Sequence, residues 1–373
     1  MYMSACAYAR ITSPQSYNIF RKFANFLTFI ALFLQNCVPF LALIRFFLYL
    51  CIVNTQLKRI LNILLVVAAY GYLGYKIVTY DNYAGLLQQF RQAELWQWLC
   101  LVACFLLFPF NRFFEAWKWQ YLVRHIEPMN LWEAQRQVYY GTIAGFVTPY
   151  KIGEYPGRAL LFRNTGGHWL TATCLGLIGG YAMTTIIVVA GLPTAIYWLS
   201  PDSSLIWSML LTIAGALLAI IALPALMRRL QNRTYRSEQT GMLVRSIARL
   251  RIRDVLILLW MSLLRYVCFI VQLTLVLLFC GVLLDPLSMI ITQPLYYLMI
   301  TVTPNIPAAE IAVRGAWAVA IFDRFGADIS AAAVVASLLL WAINTIFPLL
   351  VGSLVGKPQN KQDATEEKRE EEI

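Results

Sequence analysis

Apolar positions run along this chain in long uninterrupted blocks rather than in alternation. A helix needs about 20 residues to cross a ~30 Å hydrocarbon layer, and six blocks reach or approach that length: Ile60–Tyr80, Trp96–Pro109, His168–Leu192, Leu205–Leu226, Val255–Val282 and Ile329–Val355. The second is short and continues into its aromatic flanks. A membrane β-barrel would instead alternate polar and apolar residues over segments of about ten, and no such pattern is present. The fold expected is all-α, a polytopic transmembrane helical bundle.

Two shorter apolar segments, Tyr139–Val147 and Leu295–Val302, stop at the same three residues. "VTPYKIGEYPGR" (Val147–Arg158) and "VTPNIPAAEIAVR" (Val302–Arg314) both read Val-Thr-Pro, a short linker, then Glu-x-x-x-Arg, with a short helical segment following (Arg158–Phe162 and Ile311–Phe322). Pro149, Gly153, Pro304 and Pro307 are the expected breaks. Proline removes a backbone donor and clashes with the preceding turn, and Gly153 permits a sharp turn. Pro156 is expected to open the next helix, leaving Glu154 just before it, against the positive helix end. Non-helical backbone at membrane depth is tolerated only where protein or a wet cavity satisfies it, so the spacing predicts two re-entrant hairpins around an internal crevice. Three spans separate them. An odd number places the second hairpin on the opposite face, making an inverted repeat, the construction of many transporters.

An arginine inside a membrane costs ~2.5 kcal/mol or more and points to function by default. Glu310 and Arg314, spaced i, i+4, could also neutralise one another along one helix face, and the same holds for a Glu154–Arg158 pair that merely closes its hairpin. In the functional alternative the arginines bind an anionic headgroup, for which their bidentate fork is suited, while the glutamates orient or release them. Glu154, Arg158, Glu310 and Arg314 are the leading substrate-binding candidates, followed by Lys118, Lys151, Arg163 and Arg265. Lys118 lies in "NRFFEAWKWQYLVRH" (Asn111–His125), whose Arg112, Glu115, Lys118 and Arg124 among aromatic residues suggest a helix at headgroup level. Arg265 is too deep in its span to snorkel and is expected to face the crevice.

The 373 residues are 60% hydrophobic and 13% charged, with a mean hydropathy of +0.64, too apolar for a soluble domain. The net charge of +11 reads as topology, with no nucleic acid implied. Arg228, Arg229, Arg233, Arg236, Arg245, Arg249, Arg251 and Arg253 fall between two spans and mark the cytoplasmic side. Alternation then puts Lys58, Arg59, the segment Arg112–Arg163 and the tail from Lys357 inside, and Asp81–Leu95 and Pro193–Ser204 outside. The eight cysteines include no CxxC pair or metal-ligand spacing and read as packing residues; no metal or cofactor is expected. Three regions follow: an N-terminal extension (1–55) of ambiguous character and unlike a cleavable signal, a transmembrane domain (56–356), and a charged tail (357–373) expected to be disordered.

With "GFVTPYKIGEYPGRAL" and "VTPNIPAAEIAVRGAWA" in place, the chain resembles the flippase-like family typified by the membrane domain of lysylphosphatidylglycerol synthases, from about Lys58 to Gly356. The family's first motif is similar to P-G-x-x-G-E-x-x-R, matched by Pro149, Gly153, Glu154 and Arg158 with one extra residue between acid and arginine. Its second, P-G-G-x-G followed by an acid, is met by Pro307, Ala308, Ala309 and Glu310 without the glycines. The resemblance implies translocation of a lipid with a polar headgroup between leaflets and does not name the substrate; the partners expected are membrane lipids, anionic or polyprenyl-phosphate-linked, and the location expected is the cytoplasmic membrane of a bacterium. Only the charged tail follows Gly356, so the soluble synthase activity is not expected. No phosphate-cradling G-x-x-x-x-G-K-[ST] is present, and His125 and His168, the only histidines, have no triad-like neighbours. Two other readings stay open: a membrane enzyme using Glu154 as base on a lipid headgroup, and a non-transporting component that binds a partner through its arginine-rich loop.

Overall fold

A computed structural model describes residues 91–148, 151, 153–162, 168–199, 203–233, 235, 238–303 and 309–355. The extension 1–55, the span Ile60–Tyr80, Pro149, Arg163, Pro304, Pro307 and the tail 357–373 lie outside the described residues. The chain divides into two compact units, one of residues 1–58 and 201–215, the other of residues 59–200 and 216–373. Of the smaller, Ser203–Gly215 is described, a helical stretch exposing Ile206, Trp207 and Leu210. The charged residues discussed below belong to the larger unit.

The described residues are helical: α1 Leu95–Val123, α2 Leu131–Val147, α3 Glu154–Ala159, α4 His168–Leu199, α5 Ser203–Leu230, α6 Glu238–Ala248, α7 Ile252–Phe279, α8 Pro286–Val302, α9 Glu310–Phe322, α10 Ala327–Trp341 and α11 Phe347–Val355, with a π turn, Ala342–Ile346, joining the last two. Five stretches are long and apolar enough to cross a membrane: Leu95–Val123, His168–Ala195, Met209–Leu230, Ile252–Phe279 and Ala327–Leu354. These correspond to five of the six hydropathy blocks. The protein is an integral membrane protein with an all-helical polytopic bundle.

α1 continues past Pro109 into its aromatic flank, as expected, and runs unbroken to Val123, a proline inside a membrane-spanning helix being tolerated where neighbouring helices satisfy the freed carbonyl; what differs from the expectation is where its charges point. Its buried positions Cys104, Phe108, Asn111, Glu115, Lys118 and Leu122 alternate by three and four, one stripe of a single helix. Leu99, Val102, Leu106, Phe110, Phe113 and Trp117 are exposed on the other side, where acyl chains would cover them. The segment Asn111–Val123 is therefore no separate headgroup-level helix, and Arg112, Glu115 and Lys118 point inward.

Each Val-Thr-Pro marks a helix end, and its threonine does part of the work. Thr148 closes α2, and its hydroxyl accepts the Gly153 N–H at 2.8 Å. Thr303 closes α8, and its hydroxyl accepts the Trp317 indole N–H from α9 at 2.8 Å. The helix after the first break starts at Glu154, two residues before Pro156. Gly153 has an ordinary φ of −68°, so turn geometry does not require it; a Cβ there would lie 2.6 Å from the Ala144 carbonyl and 2.7 Å from the Thr148 hydroxyl. The left-handed conformation falls on Lys151, at φ +55°. α3 then folds back along α2 across Gly141, Gly145 and Gly157, whose missing side chains let the two backbones touch.

Between the spans, α6 lies amphipathically, burying Val244, Ile247 and Ala248 while Arg245 and Arg249 face outward. Cys104, Cys268 and Cys280 are buried free thiols, as expected of packing residues.

Candidate functional site

The centre of the charged interior is Glu115, on the inward stripe of α1 and 2% exposed. Three cations from three elements meet it: Lys118 at 2.8 Å from the next turn of α1, Arg158 at 2.8 Å from α3 and Arg265 at 2.5 Å from α7. Arg158, 1% exposed, also holds Glu154 at 2.5 Å and lies over the faces of Trp119 and Tyr155. One carboxylate thus ties α1, α3 and α7 together. The i, i+4 pairing of Glu154 with Arg158 is present, but it is one edge of this network rather than a closed pair.

A polar ladder continues from Arg265. Its Nε donates to Asn111 Oδ1 at 3.0 Å, the Asn111 amide donates to Gln272 Oε1, and the Gln272 amide donates to the Cys104 carbonyl. Gln272 Oε1 also accepts from the Asn344 amide at 3.2 Å. Asn344 sits in the π turn, where the longer hydrogen-bond spacing frees a backbone carbonyl. Arg112 fills that opening: its Nη2 donates to the Asn344 carbonyl and its Nη1 to Thr142 Oγ1 at 3.5 Å, a long contact.

A second cluster joins Lys151, between α2 and α3, to the first turns of α9. Glu310, 1% exposed, accepts on Oε1 from Lys151 Nζ at 3.0 Å and from Arg314 Nη2 at 3.1 Å. Lys151 comes from the first break and Glu310 from the second, so one ion pair joins the two Val-Thr-Pro elements. Removing that link should cost little stability. Lys151 is about a third exposed and Glu310 keeps Arg314, so Lys151→Met is expected to change unfolding in detergent by less than ~1 kcal/mol. Arg314→Met, at a more buried site, should cost more, and thermal melts of the two variants check the order.

The structure thus brings together Lys118, Glu154, Arg158 and Arg265 in one cluster and Lys151, Glu310 and Arg314 in the other. Sequence reasoning had named Arg112 and Glu115 only as supporting charges at headgroup level and Gln272 only as a neighbour of Arg265 in its span, and had given Asn111 and Asn344 no role in the site. For the α1 residues a signal existed, the three-and-four spacing read through Pro109. The histidines take no part. At the end of α1, Arg124 donates to His125 at 3.2 Å, and burial, then Arg124 and Arg249, hold the His125 pKa below its usual value.

Against this geometry, the model of the family described as lysylphosphatidylglycerol synthase TM region matches residues 59–352. The chain belongs to that family. The match takes in α1 through most of α11, so both Val-Thr-Pro breaks and both charged clusters lie inside the lysylphosphatidylglycerol synthase transmembrane region. No curated protein and no solved structure matches the chain.

Proposed function

We propose that the protein translocates a lipid with an anionic headgroup between leaflets, acting as a flippase without covalent chemistry on the lipid. The observation that carries this is an imbalance of charge. Five cations, Lys118, Lys151, Arg158, Arg265 and Arg314, pair with three carboxylates, Glu115, Glu154 and Glu310, and a sixth, Arg112, is buried on the same helix as Glu115. Uncompensated charge inside a membrane domain is costly, and a phosphate-bearing ligand is the natural counter-ion, matched by the guanidinium fork. Membership of a lipid-linked membrane family supports the same substrate class.

In this reading the two Val-Thr-Pro elements are re-entrant hairpins related as inverted repeats, supported by the three spans between them and by the Lys151–Glu310 pair. The headgroup passes along the two clusters while Glu154 and Glu310 compete for the arginines. An anionic phospholipid or a polyprenyl-phosphate-linked lipid meets the chemistry, and the protein sits in the bacterial cytoplasmic membrane with its C-terminus inside.

The test is a bleaching assay in proteoliposomes carrying fluorescent phosphatidylglycerol, with dithionite outside. Wild-type protein should expose inner-leaflet probe, and an Arg158→Gln, Arg314→Gln double variant should slow this at least about tenfold, since each charge-assisted hydrogen bond contributes roughly 1.5–3 kcal/mol. Equal bleaching by both proteins would sink the reading. Chemical turnover of the headgroup in detergent, detected by lipid mass spectrometry, would replace it with a membrane enzyme.

A further inference from the structure

Of the three carboxylates in the charged interior, Glu310 differs in how its oxygens are used. Glu115 engages both, Oε1 with Arg158 and Oε2 with Lys118 and Arg265. Glu154 is partly open, its side chain 22% exposed. Glu310 is 1% exposed and holds Lys151 and Arg314 on the same oxygen, Oε1. Its Oε2 is buried with no hydrogen-bond partner, the one carboxylate oxygen so placed among the described residues. The two cations are less enclosed than the acid they share: the side chain of Lys151 is 36% exposed and that of Arg314 20%. An anion arriving from water can therefore reach both cations, while the carboxylate has no open face to turn to water in exchange.

The remaining neighbours supply no other charge. On α8, the phenol of Tyr296 lies within electrostatic range of Glu310 and Arg314, and that of Tyr297 within range of Arg314. α10, the helix most closely packed on α9, has one acid, Asp328, exposed in its first turn, and the turn Asp323–Phe325 carries its own exposed Asp323 and Arg324 at the far end of α9. Lys151 and Arg314 are thus the cations that keep Glu310 ionised. Lys151 is also the one non-glycine residue with a positive φ, +55°, among the described residues, a conformation that persists only where surrounding contacts impose it. Its ammonium donates to Glu310 Oε1 across the space between the two elements.

We infer that Glu310 is a proton-binding site, taking up a proton from water each time an anion draws Lys151 and Arg314 away from it. The inference rests on the translocase reading above and adds its coupling ion. A carboxylate stripped of both cations in a dry interior is costly, and it is neutralised by protonation instead. Oε2 takes the proton without breaking any bond, and the neutral acid no longer attracts Lys151. With that ion pair open, the segment between α2 and α3 is released from α9, and Lys151 from its imposed backbone. When the anion leaves, the cations return to Oε1 and the proton is expelled to water. Anion and proton then move as a pair, so a proton gradient across the membrane drives the translocation.

Calorimetry tests this on the full chain in detergent. Short-chain phosphatidylglycerol is titrated in imidazole and in Tris, cationic buffers whose heats of protonation differ, so the difference between the two binding heats counts the protons taken up. Wild type is expected to take up about one proton per lipid bound near neutral pH, and Glu310→Gln to bind with equal heats in both buffers. Lys151→Met, expected above to lose little stability, keeps the test decisive if Glu310→Gln does not fold. Lys151 favours the ionised acid, so without it unliganded Glu310 keeps its proton up to a higher pH, and the acid limb of the uptake profile moves toward neutrality. Equal heats for wild type in the two buffers, undiminished uptake by Glu310→Gln, or an unmoved acid limb in a folded Lys151→Met variant each overturn the proton site. If wild type bleaches inner-leaflet probe without proton uptake, the proton site falls and translocation stands. Proton uptake by a protein that moves no lipid leaves the proton site standing and removes translocation. Wild type that neither binds the lipid nor bleaches the probe removes both.

Discussion

Glu115→Ala is expected to be the most damaging single substitution in the membrane domain, lowering stability by about 3–5 kcal/mol, the range measured when one partner of a buried ion pair is removed. The reason is the ratio around it. Lys118 loses its only ion-pair carboxylate among the described residues, Arg265 loses its own and keeps Asn111, and Arg158 keeps Glu154. Three cations drawn from three helices then repel one another in a low-dielectric interior. Thermal unfolding in detergent measures the loss. Adding Lys118→Met to Glu115→Ala removes one orphaned cation without a change of helix, and should recover about 1 kcal/mol or more through coupling between neighbours. A double variant no more stable than Glu115→Ala would show that the carboxylate matters for some reason other than charge.

Gly141→Val should be the second most damaging change. A Cβ at Gly141 would overlap the Arg158 side chain at Cγ and the Glu154 carbonyl oxygen, so the helices must part or Arg158 must leave Glu115. Overpacking of this kind costs about 1–3 kcal/mol, and here the displaced group is also a proposed headgroup ligand. Loss of stability and loss of lipid bleaching should therefore appear together. Gly241→Ala offers the contrast. Gly241 is also in a helix, α6, but a Cβ there meets the flexible end of Arg245 at 3.3 Å. That substitution should be neutral or stabilising by up to ~1 kcal/mol through helix propensity. If both glycines respond alike, the α2–α3 contact is looser than the structure has it.

Much of this architecture could be read from residues alone, and the exceptions share a cause. Hydropathy located the spans because acyl chains demand apolar length, and the paired Val-Thr-Pro motifs located both breaks because proline cannot continue a helix. The arginine and glutamate of each motif pair as their i, i+4 spacing implies. Glu115 and Arg112 escaped because Pro109 and the charges after it look like the end of a span, and the positive-inside rule assigned them to a cytoplasmic segment. Only packing against α7 and α2 shows that the charges on the continued helix face inward. Thr148 and Thr303 escaped for another reason: a threonine before a proline is unremarkable until the group it binds, an amide in one case and an indole in the other, is in place. Gly153 was legible as necessary but for the wrong property, since close contact and not φ requires it. Asn344 could not be found, because its role depends on a local winding that no short sequence pattern encodes.

That winding sets the phase of the end of the membrane domain. A π turn spends one more residue than an α turn for nearly the same rise, so the extra residue in Ala342–Ile346 acts as an angular offset. Wound as an uninterrupted α-helix, the same residues would turn everything after Ile346 by about 100° around the axis. Gly352 shows what the offset secures: it faces α2, where a Cβ would stand 3.0 Å from the Tyr139 carbonyl. Rotated by one position, that face would carry Val351 or Ser353 and could not come so close. α11 is therefore keyed to α2 by a single residue of slack, and converting the turn between π and α winding would unlock that helix without breaking any span.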